Sequence, residues 1–195
     1  MKYVFLILGV VFLLTVFASG TNKPVEATVC QVLANPVGFD GKTVRVRGRV
    51  TLGMEDFSLS DTGCNGAIWL EFGYPEQSPT PYCCPGGWDE HGKPIFSRPL
   101  VQLRRDDNFK RLKNALSATI PGAKDEDGND CRRYRPPAGE CLRYGVTATL
   151  TGRISGVNRK PNELNGFGHM GMFSAKLLIQ SVERVEATET HPGKN

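Results

Sequence analysis

Lys42-Thr-Val-Arg-Val-Arg-Gly-Arg-Val-Thr-Leu52 (KTVRVRGRVTL) alternates apolar and polar residues along its whole length. Val44, Val46, Val50 and Leu52 point one way with Gly48 in step, and Arg45, Arg47 and Arg49 point the other. A period of two is that of a strand with one face in a core and the other in water. Glycine in mid-strand predicts a bulge or a tight bend, which a sheet needs when it curls into a barrel.

The same pattern extends in both directions. Upstream, EATVCQVLANPVGFDG (26–41) places Val29, Val32 and Leu33 at helical spacing and meets Asn35-Pro36. It predicts one or two helical turns, then a turn at Phe39-Asp40-Gly41. Downstream, FSLS (57–60) is a second short strand ended by Asp61-Thr-Gly63, and AIWLEF (67–72) is a third. A proline-rich stretch over 73–100 holds PGGWDEHGKP and the adjacent cysteines Cys83 and Cys84. A helix follows, with Phe109, Leu112, Leu116 and Ile120 as its apolar stripe and Lys110, Arg111 and Lys113 outside it. Asp106 and Asp107 suit its positive N-terminal end, and Pro121-Gly122 stops it. After a second insertion over 121–144, Val146, Ala148, Leu150 and Ile154 alternate with Thr147, Thr149, Thr151 and Arg153 as a fourth strand. Phe173 to Val185 is the fifth, and the tail from Thr188 is polar.

The N-terminus is of another kind. Lys2 precedes an apolar run from Tyr3 to Phe17, then small Ala18-Ser-Gly20 and polar Thr21-Asn-Lys23. This is the pattern of a secretory signal peptide cleaved after Gly20, and it predicts a periplasmic or secreted protein. The alternative is an uncleaved anchor, although the run falls short of the ~20 apolar residues that span a bilayer comfortably. Only in that case would the chain have a membrane partner. Lys2 is the only charged residue in 1–20, so a mature chain carries one cation fewer than the 24 Lys+Arg of the whole, against 20 Asp+Glu, a net charge of +3. Such a balance is too weak to predict a polyanion partner from charge alone, and together with export it speaks against nucleic acid. The remaining length suits one domain, over 21–187, with insertions at about 73–103 and 121–144 and a polar tail at 188–195.

Three strands, a helix and two strands form the element order of the OB-fold, a five-stranded Greek-key barrel with a helix between its third and fourth strands. The opening VCQVLANPVGFDGKTVRVRGRV, with FSLSDTGC, AIWLEF, TGRISG and GFGHMGMFSAKLLIQSV, resembles a family of exported bacterial OB-fold proteins to which no function is assigned. The resemblance spans about two-thirds of the mature chain. It implies the fold and the export, and it brings no catalytic residue with it.

Six cysteines, Cys30, Cys64, Cys83, Cys84, Cys131 and Cys141, all lie beyond the signal segment. In an oxidising compartment an even count favours disulfides. Cys131 and Cys141 close the Pro/Gly-rich loop CRRYRPPAGEC and are the expected pair. Adjacent Cys83 and Cys84 are expected to reach different partners, with Cys64 and Cys30 the candidates, because a bridge between neighbours distorts the peptide joining them.

Three groups of residues carry the candidate chemistry. His169 lies among the glycines of GFGHMGMF (166–173), but no nucleophile elbow and no second zinc ligand at helical or hairpin spacing accompanies it. Its expected role is structural, at the rim of a barrel, with a ligand contact as the alternative. Cys83, Cys84, Asp89 and His91 supply soft donors within nine residues. Adjacent cysteines fit one metal tetrahedron poorly, so disulfides are preferred there over a zinc or copper site, with a metal-dependent protein or enzyme as the competing possibility. The acidic run DEDGND (125–130) lacks glycine at position six and glutamate at position twelve, which is Pro136, so it is not a calcium-binding EF-hand loop. The third group is the outward barrel face, where Arg45, Arg47 and Arg49 are expected with Trp69 and Glu71. OB-folds bind ligands on such faces. The resulting expectation is a non-enzymatic binding or assembly module, without cofactor or resident metal, whose partner is an anionic envelope ligand or another protein.

Overall fold

The computed structural model describes residues 23–53, 56–76, 101–117, 144–159 and 165–189. Outside them lie the expected signal segment, the Cys83/Cys84/Asp89/His91 group, the Cys131–Cys141 loop with the acidic run before it, the C-terminal end of the expected helix, and residues 190–195. Within them the chain forms β1 (Val25–Thr28), α1 (Val29–Ala34), α2 (Pro36–Phe39), β2 (Thr43–Leu52), β3 (Phe57–Ser60), β4 (Ala67–Phe72), α3 (Asp107–Ser117), β5 (Tyr144–Gly156) and β6 (Ala175–Glu189). No helix among the described residues is long and apolar enough to cross a membrane.

Strands β2, β3, β4, β6 and β5 are neighbours in that order, and β2 also pairs with β5, which closes a five-stranded barrel. β4 and β6 run parallel, and every other pair in the barrel is antiparallel. The alternation read in residues 42–52 holds: Val44, Val46, Gly48 and Val50 are buried. They meet Phe57, Leu59, Ile68, Leu70 and the inward residues of β5 and β6 in one core.

Gly48 does not mark a bulge. The β2–β5 register runs unbroken from Thr43 to Val50. On its other edge β2 pairs first with β1, at 44–47, and then with β3 from Arg49 onward. Gly48 sits at this handover, where a Cβ would lie 2.7 Å from the Ser60 carbonyl oxygen and 2.9 Å from Leu59. The glycine therefore serves a close approach between strands. The bulges lie in β6. Its register against β5 shifts twice, leaving Gln180 and Glu183 as the extra residues. Inward positions in β6 are consequently Leu177, Ile179, Val182 and Val185, with the spacing stretched at each bulge.

β1 escapes the sequence pattern. Val25–Thr28 lies parallel to the start of β2, outside the barrel's closure, and is mostly exposed. Four residues without alternation carry no periodic signal. At its end Thr28 caps α1: its hydroxyl accepts from Gln31 N–H while the Gln31 side chain accepts from Thr28 N–H. This reciprocal capping box satisfies two otherwise orphaned donors. Asn35 then caps α2 by accepting from Gly38 N–H.

α1 places Val29 and Val32 in the core and turns Cys30 toward the β3–β4 connection. There Cys30 is joined to Cys64, with Cα atoms 5.5 Å apart. This corrects the expected pairing, in which each would have reached one of the adjacent cysteines. The bridge closes 34 residues, worth about 3–4 kcal/mol in the chain-entropy model.

α3 buries Phe109, Leu112 and Leu116, three of the four residues of the predicted stripe. Phe109 meets Phe72 edge-on at 5.4 Å. Asp106 accepts from Phe109 N–H at 3.0 Å, and this bond, with help from Arg104, holds its carboxyl below the usual range. The first insertion leaves and re-enters the barrel at one point: Tyr74 bridges Gln102, and Leu103 N–H donates to Tyr74 O. Glu76 ties this root to the helix through Arg105 and Lys113, at 3.0 and 2.6 Å. At the far end of the chain β6 continues through Thr188 and Glu189, paired with Gly145 and Tyr144, so the polar tail begins later than the sequence pattern indicates.

Candidate functional site

Two outward regions of the barrel carry the side chains singled out in the sequence. The first is the face of β2 and β5. Arg45 and Arg47 extend from β2 across Thr151 and Thr149, their cross-strand neighbours on β5. Arg45 Nε donates to Glu183, and its NH1 reaches Glu26 on β1 at 3.1 Å. Both carboxylates stabilise the guanidinium, Glu183 more than Glu26, and raise its pKa. Arg47 meets Glu186 at 2.7 Å. Arg49 is exposed and has no acidic partner among the described residues.

Glu183 explains why this face is ordered. As a bulge residue of β6 it turns outward, where it accepts from Thr151 Oγ1 as well as Arg45. Burial alone would raise its carboxyl, but the bonds from Thr151 and Arg45 outweigh burial and hold it below the usual carboxylate range. Its carbonyl accepts from the Asn108 side chain at 2.8 Å, so α3 is tied to the same point. Thr149 and Thr151 are buried although they face outward, and Arg47 and Arg45 are their cross-strand neighbours. The sequence reading named the three arginines and missed their acids. Glu183 and Glu186 interrupt the apolar run of the last strand, and that interruption was the available signal.

The second region is the outside of β4 and β6. Trp69 and Glu71 do share the outward side, opposite Ile68, Leu70 and Phe72. Their surroundings differ from those of the arginines. Trp69 has no exposed surface, because residues 166–173 lie over it. Phe173 packs on the indole with ring centroids 5.1 Å apart. Gly168 passes so close that a Cβ would lie 2.5 Å from Trp69 Cε3. Its φ of 71° and ψ of −163° belong to a region only glycine enters readily. Glu71 pairs with Lys176 at 3.1 Å, and Lys176 also lies over the Phe167 ring at 5.4 Å. The Trp69 indole nitrogen is buried with no hydrogen-bond partner among the described residues.

His169 sits at the tip of this cover. Phe167 and Phe173 form an antiparallel bridge, and between them the chain reverses through Met170 (φ 51°) and Gly171 (φ 63°). The turn is closed by Met172 N–H donating to His169 O at 3.2 Å, and Arg159 Nε holds Gly171 O at 3.0 Å. The glycines that surround His169 in the sequence are thus backbone for a tight reversal over an aromatic ring. Trp69 and Glu71 lie on the same outward side as the arginines, with β3 between β4 and β2, but Trp69 is covered by the turn that carries His169 while the arginines are not.

Among the described residues, no group of three or more His, Cys, Asp or Glu is placed to hold a metal ion. The class these features define is a closed β-barrel with a Cys30–Cys64 disulfide, an ion-paired face and a covered face among the described residues. Comparison with protein-family models, curated proteins and solved structures gives no match.

Proposed function

We propose that the protein is an exported, non-enzymatic binding or assembly module of the bacterial cell envelope, built on an OB-fold, with an anionic partner. The barrel order β2-β3-β4-β6-β5-β2, with its parallel β4–β6 pair, supports the fold reading, since it is the order of a Greek-key OB barrel. The Cys30–Cys64 bridge supports export, because disulfides persist where the surroundings are oxidising.

The observation that carries the anionic partner is the graded neutralisation along β2. Arg45 has two carboxylates, Arg47 has one, and Arg49 has none among the described residues. Positive potential is left at the Arg47–Arg49 end of the face, where Arg47 is 57% exposed in its side chain. Arg45 is a structural strut rather than a ligand contact. Each exposed charge contact contributes about 1 kcal/mol or less, so binding needs several together and weakens with salt.

The test is a low-salt screen of anionic glycans, lipid headgroups and acidic peptides against wild type and Arg47→Ser/Arg49→Ser, leaving Arg45 in place. The expected result is an anionic ligand that the double variant binds at least tenfold more weakly. Equal binding by the variant, or no anionic ligand for the wild type, overturns the proposal.

A further inference from the structure

The turn at 169–172 presents soft metal ligands in a way the fold does not require. Met170 and Met172 are 56% and 52% exposed, and only Gly171 separates them. A reversal with two left-handed central residues favours Asn or Gly at the first of them, and here that position holds Met170, at φ 51° and ψ 23°. An exposed thioether at a position that disfavours a side chain gains the fold neither burial nor backbone ease. Strain without structural return at a surface turn is an indication of function.

The turn also has a partner for them. The hydrogen bond from Met172 N–H to His169 O makes these two residues the flanking pair of the reversal. The ends of such a four-residue turn lie within about 7 Å of each other at their Cα atoms, and Met170 stands between them, so the three side chains belong to one tight turn. Thioether sulfur and imidazole nitrogen are soft or borderline donors, and a set containing two thioethers selects Cu(I) over the harder divalent ions. An imidazole coordinates through one ring nitrogen while the other keeps a hydrogen bond, so another contact of His169 is compatible with ligation. Where cysteines are drawn into disulfides, thioethers are the soft ligands that remain available.

The base of the turn is firm. The Phe167–Phe173 bridge, the Arg159–Gly171 bond, the Gly166 N–H bond to Gly171 O and the contact of Gly168 with Trp69 fix it from below. Ligands on such a support lose little freedom when a metal arrives.

We propose that Met170 and Met172, with His169, form a binding site for one soft monovalent cation, Cu(I) in the cell. The site is independent of the arginine face, and either can fail while the other stands. The probe is Ag(I), a redox-inert stand-in, titrated in chloride-free buffer into protein purified as its host processes it, with free thiols alkylated beforehand. Methyl carbon-13 labelling of methionine gives the readout, and Met54 is the internal control. The expected result is one equivalent that shifts Met170 and Met172 and leaves Met54 in place. Met170→Leu/Met172→Leu, nearly isosteric at exposed positions, should weaken binding at least tenfold with melting temperature unchanged. His169→Gln should weaken it by a smaller factor. Cu(I) held in competition with a chromogenic chelator should follow the same order. Shifts shared equally by Met54, an unaltered affinity in the double variant, or retention of Ag(I) without Cu(I) would each overturn the proposal.

Discussion

On β2 the outward side chains Arg45 and Arg47 reach into water and meet carboxylates, with Arg49 exposed beyond them, whereas on β4 the outward Trp69 is roofed by residues 166–173. Both faces follow the same period of two, and both lie outside the same core. The difference lies in what each outward residue leaves unsatisfied. A guanidinium needs acceptors, which the bulged β6 and the added β1 supply as Glu183, Glu186 and Glu26. An indole on the outside leaves a large apolar surface in water, which a second layer of chain removes. Alternation reports which side of a sheet a residue occupies, and it does not report whether that side is wet.

The covered face is the more sharply specified, and Gly168→Ala is the way to break it. A Cβ at that position lies 2.5 Å from Trp69 and 2.7 Å from Phe173, on a backbone at φ 71°. Overpacking and strain together should cost about 2–4 kcal/mol. The denaturant midpoint should fall with its slope unchanged. In a Trp88→Phe background the Trp69 emission should also move to the red as the cover lifts. A loss below about 1 kcal/mol, with emission unmoved, would show that the glycine is not what seats the cover.

The contrast also explains how much was legible beforehand. Residues 42–52 disclosed their strand, because every position obeys one rule and the inward valines are all used by the core. The helical stripe of Phe109, Leu112 and Leu116 was equally plain. The burial of Trp69 was legible only in part: the glycines of 166–173 report a tight turn and a close approach to a neighbour, but not that the neighbour is a ring about a hundred positions away. The acids on the arginine face were hidden for a related reason. Two bulges shift the phase of β6, so a simple alternation cannot place Glu183 on either side. The Cys30–Cys64 bridge was not legible because local spacing says nothing about a contact made through the fold, between α1 and the β3–β4 connection.

Glu183→Gln probes the ion-paired face at its most enclosed point and should have an intermediate effect. The variant keeps the shape of the side chain and removes the charge that Arg45 and Thr151 address. At neutral pH a loss of about 1–2 kcal/mol is expected, a charged hydrogen bond discounted for partial exposure. The Glu183 carboxyl titrates below its ordinary value of 4.5, so its contribution is complete above that value and fades as pH falls through the lower folded one. Wild type and variant should therefore converge in acid. A gap that persists at pH values where both side chains are neutral would place the effect in packing rather than charge.

Arg47→Ser should have the smallest effect of the three, which sharpens the distinction between struts and exposed charge. Its pair with Glu186 is exposed on the arginine side, and Glu186 retains a second partner in Arg184 at 2.7 Å. Removing Arg47 therefore leaves no stranded carboxylate, and the loss of stability should stay below about 0.5 kcal/mol. Some screening by salt should shrink even that. Equilibrium unfolding at low and high salt measures it. A loss above 1 kcal/mol would make Arg47 a second strut, and the free positive end of the face would then shrink to Arg49 alone.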